Sequence, residues 1–245
     1  MSDKALRLLM VWPGGGAEHE YYQFAEALED RIKIFLACTR VGGHGDADHD
    51  VDALLETARI DWLCEAAGRS RVLAPDCVFW ACTSGSFIVG KSGAHAQVEA
   101  LSELMGVPAG STSLAFVNAL AELGLNSVSV LATYPEPASR AFESFLAEHG
   151  INISRLHWMD AASGWAASAL DAEMVVEQAH AAVTDDTQAI LIPDTAMPTL
   201  HLIERLERET GRTVLSANAV TLWAAMKLAG GNIPIDGYGS LLSRA

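Results

Sequence analysis

Positive charge is scarce in this chain. Its 245 residues include 16 lysines and arginines against 31 aspartates and glutamates, which gives a formal net charge of -15 at pH 7. Such a balance repels phosphate backbones and anionic lipid headgroups, so we expect neither nucleic acid nor a membrane as a partner. It does not exclude a small anionic substrate, because a few local amide groups can outweigh a screened distant field.

Long apolar runs and paired cysteines are also missing. No apolar run approaches the roughly 18 residues of a membrane-spanning helix. The first apolar stretch, which ends at Trp12, is too short for a signal peptide and has no small-residue cleavage site. The 4 cysteines all lie in the first third of the chain, and none forms a CxxC pair. A disulfide framework is therefore not indicated, and a cytoplasmic location fits best.

Several common site motifs are absent as well. Gly14, Gly15 and Gly16 follow the first apolar run, but they belong to neither a GxGxxG fingerprint nor a P-loop. We interpret this run as an active-site loop that lets the backbone approach a ligand closely, with a plain turn as the alternative. Residues 44–50 are rich in His and Asp but lack any HExxH or EF-hand spacing, so we interpret them as a capping loop and predict no metal site.

What the chain does contain is a regular alternation of short apolar runs with amphipathic stretches. Strands are predicted at 6–12, 32–37, 77–81, 127–132, 151–156 and 188–192. Helices are predicted near 19–30, 50–67, 86–105, 112–124, 137–149, 171–183, 198–210 and 217–229. Because the strand runs are continuously apolar, they are typical of parallel strands covered on both faces. The predicted fold class is therefore α/β with parallel sheets.

The order of these elements suggests an internal duplication. The first half runs strand, helix, strand, helix, strand, and the second half repeats this order from Ser127. On that register, Cys82 and Asp194 occupy equivalent strand ends, and each is followed by a threonine (Thr83 and Thr195). Ligands of open α/β sheets bind outside the carboxyl ends of the strands. We therefore expect Cys82 and Asp194 on opposite walls of one cleft.

Cys82 is the leading candidate for a reactive group. It stands between a strand and a helix expected from about Phe87, with Thr83, Ser84 and Gly85 directly after it. Free amide N–H groups at this point favour a thiolate over a thiol, and they can also bind a substrate carboxylate. The alternative is a buried structural cysteine beside an ordinary helix cap.

Other polar groups are expected near the same strand ends. Thr112, Thr133 and Tyr134 are interpreted either as caps and turns or as hydrogen-bond donors to a carboxylate, and Tyr134 is the best placed of them for that task. Five histidines have no visible partner at catalytic spacing, namely His95, His149, His157, His180 and His201. No Cys–His dyad is predicted.

Five sequence blocks together carry a family resemblance. They are TRVGGHGD (39–46), ACTSGS (81–86), TSLAFVNALAELG (112–124), VLATYPEP (130–137) and SANAVTLWAAMKLAG (216–230). With them the chain resembles the aspartate/glutamate racemase superfamily, in the branch that contains maleate cis-trans isomerases and arylmalonate decarboxylases.

The resemblance implies two flavodoxin-like lobes related by pseudo-twofold symmetry, with a small carboxylate bound in the cleft between them. It also implies that the protein uses no cofactor and that it forms a homo-oligomer. We place the N-terminal lobe at residues 1–111 plus 215–245 and the second lobe at 112–214.

Roles for individual residues follow from the resemblance. Two cysteines commonly face each other in this superfamily; Cys82 matches the first, and Asp194 stands where the second is usual. Arylmalonate decarboxylases keep only the second thiol, whereas maleate isomerases use the first as nucleophile. A further departure is the Gly14–Gly15–Gly16 loop, where related isomerases tend to carry an asparagine.

The function predicted is therefore a cofactor-independent isomerase of a small carboxylic acid, with Cys82 as nucleophile. Asp194 either shuttles a proton or binds an ammonium or hydroxyl group of the substrate. The substrate-binding candidates are Thr83, Ser84, Gly85, Tyr134, Thr195, Gly14 and Gly15. The alternatives are a racemase, lyase or hydrolase of an amino-acid-like or ectoine-derived carboxylate, and a noncatalytic small-acid binding protein.

Overall fold

Two parallel β-sheets form the frame of the protein. The computed structural model describes residues 4–29, 31–43 and 48–244. Each sheet has four strands, in the orders β2-β1-β3-β4 and β6-β5-β7-β8. The strands are β1 (Leu6–Trp12), β2 (Ile32–Cys38), β3 (Cys77–Trp80), β4 (Ala109–Ser111), β5 (Ser127–Ala132), β6 (Asn152–Trp158), β7 (Ala189–Ile192) and β8 (Thr213–Ser216).

All strand pairs are parallel, and the second sheet repeats the strand order of the first. In each sheet the third strand in sequence lies beside the first, so β3 and β7 occupy equivalent central positions. Every residue of β3 and of β7 is buried, as the continuous apolar runs predict for strands covered on both faces. The predicted α/β class with parallel sheets is confirmed.

Helices cover both sheets. They are α1 (Glu18–Ala27), α2 (Val51–Thr57), α3 (Ile60–Arg69), α4 (Thr83–Phe87), α5 (Gly90–Met105), α6 (Thr112–Leu123), α7 (Glu136–Glu148), α8 (Gly164–Ser168), α9 (Ala172–Ala182), α10 (Ile203–Thr210), α11 (Ala217–Leu228) and α12 (Gly239–Ser243). Within the described residues, no helix is both long and apolar enough to cross a bilayer.

Differences from the sequence prediction lie mainly in short elements. Strands β4 and β8 were not predicted, because edge strands of three or four residues leave no readable apolar run. Helices α8 and α12, of five residues each, were missed for the same reason. The single helix predicted at 50–67 is two helices, since Arg59 has an extended backbone between α2 and α3.

The helix expected from Phe87 begins earlier than predicted. Helix α4 starts at Thr83, so that Cys82 is its N-cap residue. Ile88 and Val89 separate it from α5, whose first residue, Gly90, has a φ of 67°. The strand end and the helix start are therefore joined at Cys82 itself.

Helix α11 ties the two sheets together. Its residues from Ala217 to Met226 are all buried, and it contacts β3 and β4 of the first sheet and β8 of the second. One cluster of buried apolar side chains runs through both sheets, from Leu8 and Phe79 to Val130 and Leu191. This shared core fixes the carboxyl ends of β3 and β7 relative to each other.

Candidate active site

A cavity of about 310 Å³ lies at the carboxyl ends of β3 and β7. Cys82 follows the first strand and Asp194 follows the second, and both line this cavity. The Thr195 hydroxyl donates a hydrogen bond to the Ala81 carbonyl at 3.3 Å, which links the two strand ends directly. The other lining residues are Pro13, Gly14, Gly15, Val41, Gly42, Gly43, Asp48, His49, Leu54, Thr57, Ser84, Gly164, Trp165, Thr195 and Ala196.

The Cys82 sulfur is held by the first turn of α4. Its Sγ accepts a hydrogen bond from the Gly85 N–H at 3.3 Å and lies 3.6 Å from the Ser84 hydroxyl. Position 85 requires glycine, because a Cβ there would lie 2.5 Å from the Trp80 ring and 3.2 Å from Sγ. The absence of that side chain is what allows the amide to reach the sulfur.

Cys82 is nevertheless disposed to remain a thiol. Burial raises its pKa to about 12, and the nearby carboxylates of Asp194 and Asp48 add to the rise. The hydrogen bonds from Ser84 and Gly85 oppose the rise but do not cancel it. The lowered pKa expected from the sequence is therefore wrong, since one N–H and a five-residue helix do not offset complete burial. A nucleophilic Cys82 needs a base nearby.

Asp194 is held in a strained backbone conformation. Its φ is 135°, a value that non-glycine residues rarely adopt, and its side chain is buried. The Thr133 hydroxyl donates to Oδ2 at 2.5 Å, and the Ala196 N–H donates to Oδ1 at 2.9 Å. Burial raises the pKa of Asp194, against the opposing effects of His49 and the two donors. The carboxyl group is thus fixed in place and poised to hold a proton.

His49 also belongs to the site, although no sequence pattern singles it out. It is buried, and its Nδ1 lies 2.9 Å from the Ala161 carbonyl oxygen. Its Nε2 lies 3.7 Å from Asp194 Oδ2 and 3.9 Å from Asp48 Oδ1. These partners include residues more than a hundred positions away in the chain, so no local pattern could have revealed them.

The capping interpretation of residues 44–50 holds for one of them. The Asp50 side chain accepts a hydrogen bond from the Asp52 N–H at 3.0 Å and caps α2. Asp48 instead accepts from the Gly164 N–H at 2.9 Å, at the rim of the cavity. Residues 44–47 lie outside the described residues.

Three of the predicted binding residues lie behind the cavity wall. Thr83, Gly85 and Tyr134 are buried and are not among the lining residues described. The Tyr134 ring packs edge-on against His49 at 4.8 Å and against Phe87 at 5.5 Å. Burial raises the pKa of Tyr134 well above its usual value, and the nearby Asp194 carboxylate adds to this effect. Tyr134 is therefore a neutral phenol whose ring packs against the His49 ring.

The predicted glycine loop approaches the opposite wall closely. Gly14 and Gly15 have φ values of 97° and 121°, and both line the cavity. A Cβ on Gly15 would lie 3.0 Å from the Ala196 Cβ and 3.6 Å from the Gly164 Cα. Glycine at position 15 thus permits the first loop to pack against the segment that follows Asp194.

A buried polar network holds that segment in place. Asn218 donates to the Thr195 carbonyl at 3.2 Å and to Glu20 Oε2 at 2.7 Å. The Glu20 Oε1 accepts from the Leu200 N–H at 2.7 Å, and the Tyr21 hydroxyl donates to Asn218 Oδ1 at 2.9 Å. Because each of these partners is buried, the turn that carries Asp194 is fixed by paired groups.

The charges around the cavity are unusual for the carboxylate-binding site that the sequence predicts. The titratable groups among the lining residues described are Asp48, His49, Cys82 and Asp194, with no lysine or arginine. No group of three or more His, Cys, Asp or Glu side chains within the described residues could hold a metal ion. Any positive charge that these lining side chains offer to a ligand must come from His49.

Comparison with known proteins identifies the family. The family model described as arylmalonate decarboxylase matches residues 56–242. The chain belongs to the arylmalonate decarboxylase family. A relative within it, the arylmalonate decarboxylase of Bordetella bronchiseptica, is 28% identical over 166 residues, which are 66% of this chain and 69% of the relative. The maleate isomerase of Nocardia farcinica is 27% identical over 176 residues, 69% of this chain and 70% of the relative.

Solved structures share the fold over nearly the whole chain. A cysteine-to-alanine variant of the maleate isomerase Iso from Pseudomonas putida, crystallised with maleate, has a TM-score of 0.89 at 20% identity and covers 99% of each chain. A cysteine-to-serine variant of the Nocardia farcinica maleate cis-trans isomerase with a covalently bound succinylcysteine intermediate has a TM-score of 0.84, also at 20% identity and 99% coverage of each chain.

The predicted family branch is therefore confirmed, and so is the fold. The relatives named above are enzymes, a decarboxylase and isomerases.

Proposed function

We propose that the protein is a cofactor-independent isomerase of a small unsaturated carboxylic acid, with maleate as the reference substrate and Cys82 as the nucleophile. The observation that carries this proposal is that Cys82 lines the same cavity as Asp194. Among the lining residues described, Cys82 is the one cysteine. Support comes from the relative whose cysteine-to-serine variant still holds a covalent succinylcysteine.

The reaction needs no redox step. The Cys82 thiol gives its proton to the neighbouring His49 and Asp194 side chains, and the thiolate adds to one olefinic carbon, while the π electrons move toward the carboxylate on the other carbon. The former double bond is now single, so rotation about it interconverts the cis and trans arrangements. Return of the electron pair expels the thiolate and re-forms the double bond, and the thiolate regains its proton.

The lining residues are suited to binding the carboxylate. Ser84 and Thr195 contribute hydroxyl groups, and Gly14 and Gly15 bring backbone close to the cavity. We assign these four residues to substrate binding, where hydrogen-bond donors would stabilise the negative charge that develops during addition. Thr83, Gly85 and Tyr134 would act from behind the wall, through Cys82 and His49.

A second candidate function rests on the charges of the site. Asp48 and Asp194 face a cavity without lysine or arginine among its described lining residues, and such a cavity suits a substrate ammonium. A racemase, lyase or hydrolase of an amino-acid-like or ectoine-derived carboxylate would use Asp194 to bind that group. A noncatalytic protein that binds small acids would use the same contacts without turnover.

One assay separates these possibilities. The purified protein is incubated with maleate, phenylmalonate or small amino acids, and the products are followed by proton NMR. We expect fumarate from maleate, its loss in Cys82→Ser, and full activity in the control Cys38→Ser, which removes an exposed thiol. Product from an amino acid alone would support the second candidate. A thermal shift without any product would support a binding protein, and full activity of Cys82→Ser would refute the nucleophile.

Three further predictions await their own tests. The unpaired cysteines favour a cytoplasmic location, which cell fractionation would check. The homo-oligomer is tested by light scattering on the purified protein. The division into lobes at 1–111 plus 215–245 and 112–214 is tested by limited proteolysis.

A further inference from the structure

The orientation of the His49 ring fixes where its protons lie. Its Nδ1 is 2.9 Å from the Ala161 carbonyl oxygen, and a carbonyl can only accept a hydrogen bond. Nδ1 therefore carries a hydrogen. In the neutral ring this leaves Nε2 with a bare lone pair, and Nε2 is the atom that faces Asp194 Oδ2 at 3.7 Å.

His49 Nε2 and Asp194 Oδ2 are then two hydrogen-bond acceptors that face each other with no hydrogen between them, which is energetically unfavourable in a buried site. Asp194 and His49 are 4% and 6% exposed, so water does not separate their lone pairs freely. The Thr133 hydroxyl donates to the same Oδ2, but its hydrogen points at the carboxyl oxygen and leaves Nε2 unsatisfied. One additional proton, carried either by Nε2 or by Oδ2, removes the conflict.

We propose that His49 and Asp194 hold one exchangeable proton as a pair and deliver it to the substrate carbon next to the one that Cys82 attacks. This inference rests on the proposed function, because the delivered proton has a use only when a thiolate adds to a carbon–carbon double bond. It makes His49 a catalytic residue. The intermediate is then a saturated thioether, in which one carbon bears sulfur and its neighbour bears the new hydrogen.

The steps balance as follows. The thiol proton passes to the His49–Asp194 pair, which then holds two protons. The thiolate forms a C–S bond, and the π electrons form a C–H bond with one proton of the pair. After rotation, the pair removes a hydrogen from that carbon as a proton, the C–H electrons re-form the double bond, and the C–S electrons return to sulfur. The thiolate then takes its proton back, and the pair again holds one.

This sequence predicts which hydrogen is lost. In this proposal the thiolate and the proton add from opposite sides of the double bond, because Cys82 and Asp194 follow strands of different sheets that border one cavity. Removal of the same hydrogen by the reverse path regenerates the starting isomer. Fumarate forms only when the pair removes the other hydrogen of that carbon, the one that it already carried in maleate. The product therefore keeps the hydrogen delivered by the protein.

Heavy water makes this prediction measurable. Protein equilibrated in heavy water is mixed, in excess, with unlabelled maleate, and the acids are analysed by mass spectrometry after one turnover. We expect fumarate with one deuterium and recovered maleate with none. Fumarate without deuterium would overturn the inference and leave the isomerase function intact. A lack of isomerisation by the unmodified protein would overturn the proposed function, and the inference with it.

Matched variants test whether the deuterium in fumarate is delivered by the His49–Asp194 pair. His49→Asn keeps a side-chain N–H near the Nδ1 position for Ala161 but lacks Nε2, and we expect turnover about 100-fold lower, with deuterium absent from the residual product. His180→Asn is the control; this histidine pairs with Glu209 at 3.2 Å on the surface, and both rate and label should stay unchanged. Wild-type rate and labelling in a folded His49→Asn would overturn the inference. A thermal melt of each variant separates lost chemistry from lost folding.

Discussion

The ends of β3 and β7 occupy equivalent places in the two sheets but hold their functional side chains in different ways. At the first, Cys82 has an extended backbone with φ of -149° and begins a helix at once. At the second, Asp194 has φ of 135° and no helix begins there; a single turn of 3-10 helix at Leu200–Leu202 precedes α10. The thiol is thus carried by a relaxed helix cap and the carboxylate by a strained turn.

This difference shows how a duplicated frame can carry an asymmetric reaction. The repeated strand order brings both residues to one cavity, while the local turn decides what each side chain meets. Cys82 meets the Gly85 amide, whereas Asp194 meets Thr133, Ala196 and His49. Burial raises the pKa of both groups, so both are disposed to hold protons before substrate binds.

The largest expected effect concerns the reactivity of the Cys82 thiol at the first of these strand ends. Because the pKa of Cys82 is raised from 9.0 to about 12, its thiolate fraction at neutral pH is expected to fall by roughly 1000-fold. Exposed Cys38 should therefore be alkylated by iodoacetamide far sooner than Cys82. Peptide mass spectrometry over time from pH 7 to pH 10 measures both rates. Rapid labelling of Cys82 at pH 7 would contradict the raised pKa.

The next largest effect concerns the helix cap at Cys82. In Gly85→Ala the new Cβ would lie 2.5 Å from the Trp80 ring, so we expect a loss of about 1 to 3 kcal/mol in the free energy of unfolding. Catalysis should fall as well, because the amide that donates to Sγ must shift. Urea unfolding and the maleate assay measure the two effects.

A second glycine provides the matched control for this variant. Gly68 lies within α3, where a Cβ would meet only Leu104 at an ordinary 3.8 Å. Gly68→Ala should therefore stabilise the protein by about 0.5 to 1 kcal/mol. Equal effects of the two substitutions would show that the cap at Cys82 is not specially packed.

The Asp194 side of the comparison is tested by pH. Burial raises the native pKa of Asp194 above the ordinary 3.8, so the native state binds the proton more tightly than the unfolded state does. Its contribution to stability is complete below the unfolded pKa and is lost as pH rises through the native pKa. Asp194→Asn removes this loss, and we expect it to be more stable than wild type at pH 7 and to differ little from wild type at pH 3.

Thermal unfolding across this pH range measures the gain. Asp185→Asn, which replaces an exposed carboxylate, is the control and should show no such trend. A gain that is the same at pH 3 and pH 7 would show that Asp194 is not protonated preferentially in the native state.

The sequence was informative wherever a strand was long and apolar. The strand over 6–12 was predicted with the bounds that β1 has, and the equivalence of Cys82 and Asp194 followed from the order of such runs. Short edge strands such as β4 were missed, since three residues carry no periodicity.

The site was readable only in part, for a different physical reason. Cys82 could be found because a thiol between a strand and a helix is a local feature. His49 could not be found, because its meaning depends on Ala161 and Asp194, which the fold alone brings near it. The raised pKa of Cys82 likewise depends on burial by distant elements, which outweighs the local amide on which the sequence argument relied.

The smallest expected effect tests the backbone difference itself. Asp194→Gly and Asp194→Ala both remove the carboxyl group and its hydrogen bonds, so their difference isolates the cost of holding a Cβ at φ of 135°. We expect the glycine variant to be the more stable by about 1 kcal/mol in urea unfolding. At Cys82, where φ is -149°, the order should reverse, with Cys82→Ala more stable than Cys82→Gly by about 0.5 to 1 kcal/mol. The same order at both positions would mean that the two strand ends differ in their side chains and neighbours but not in backbone strain.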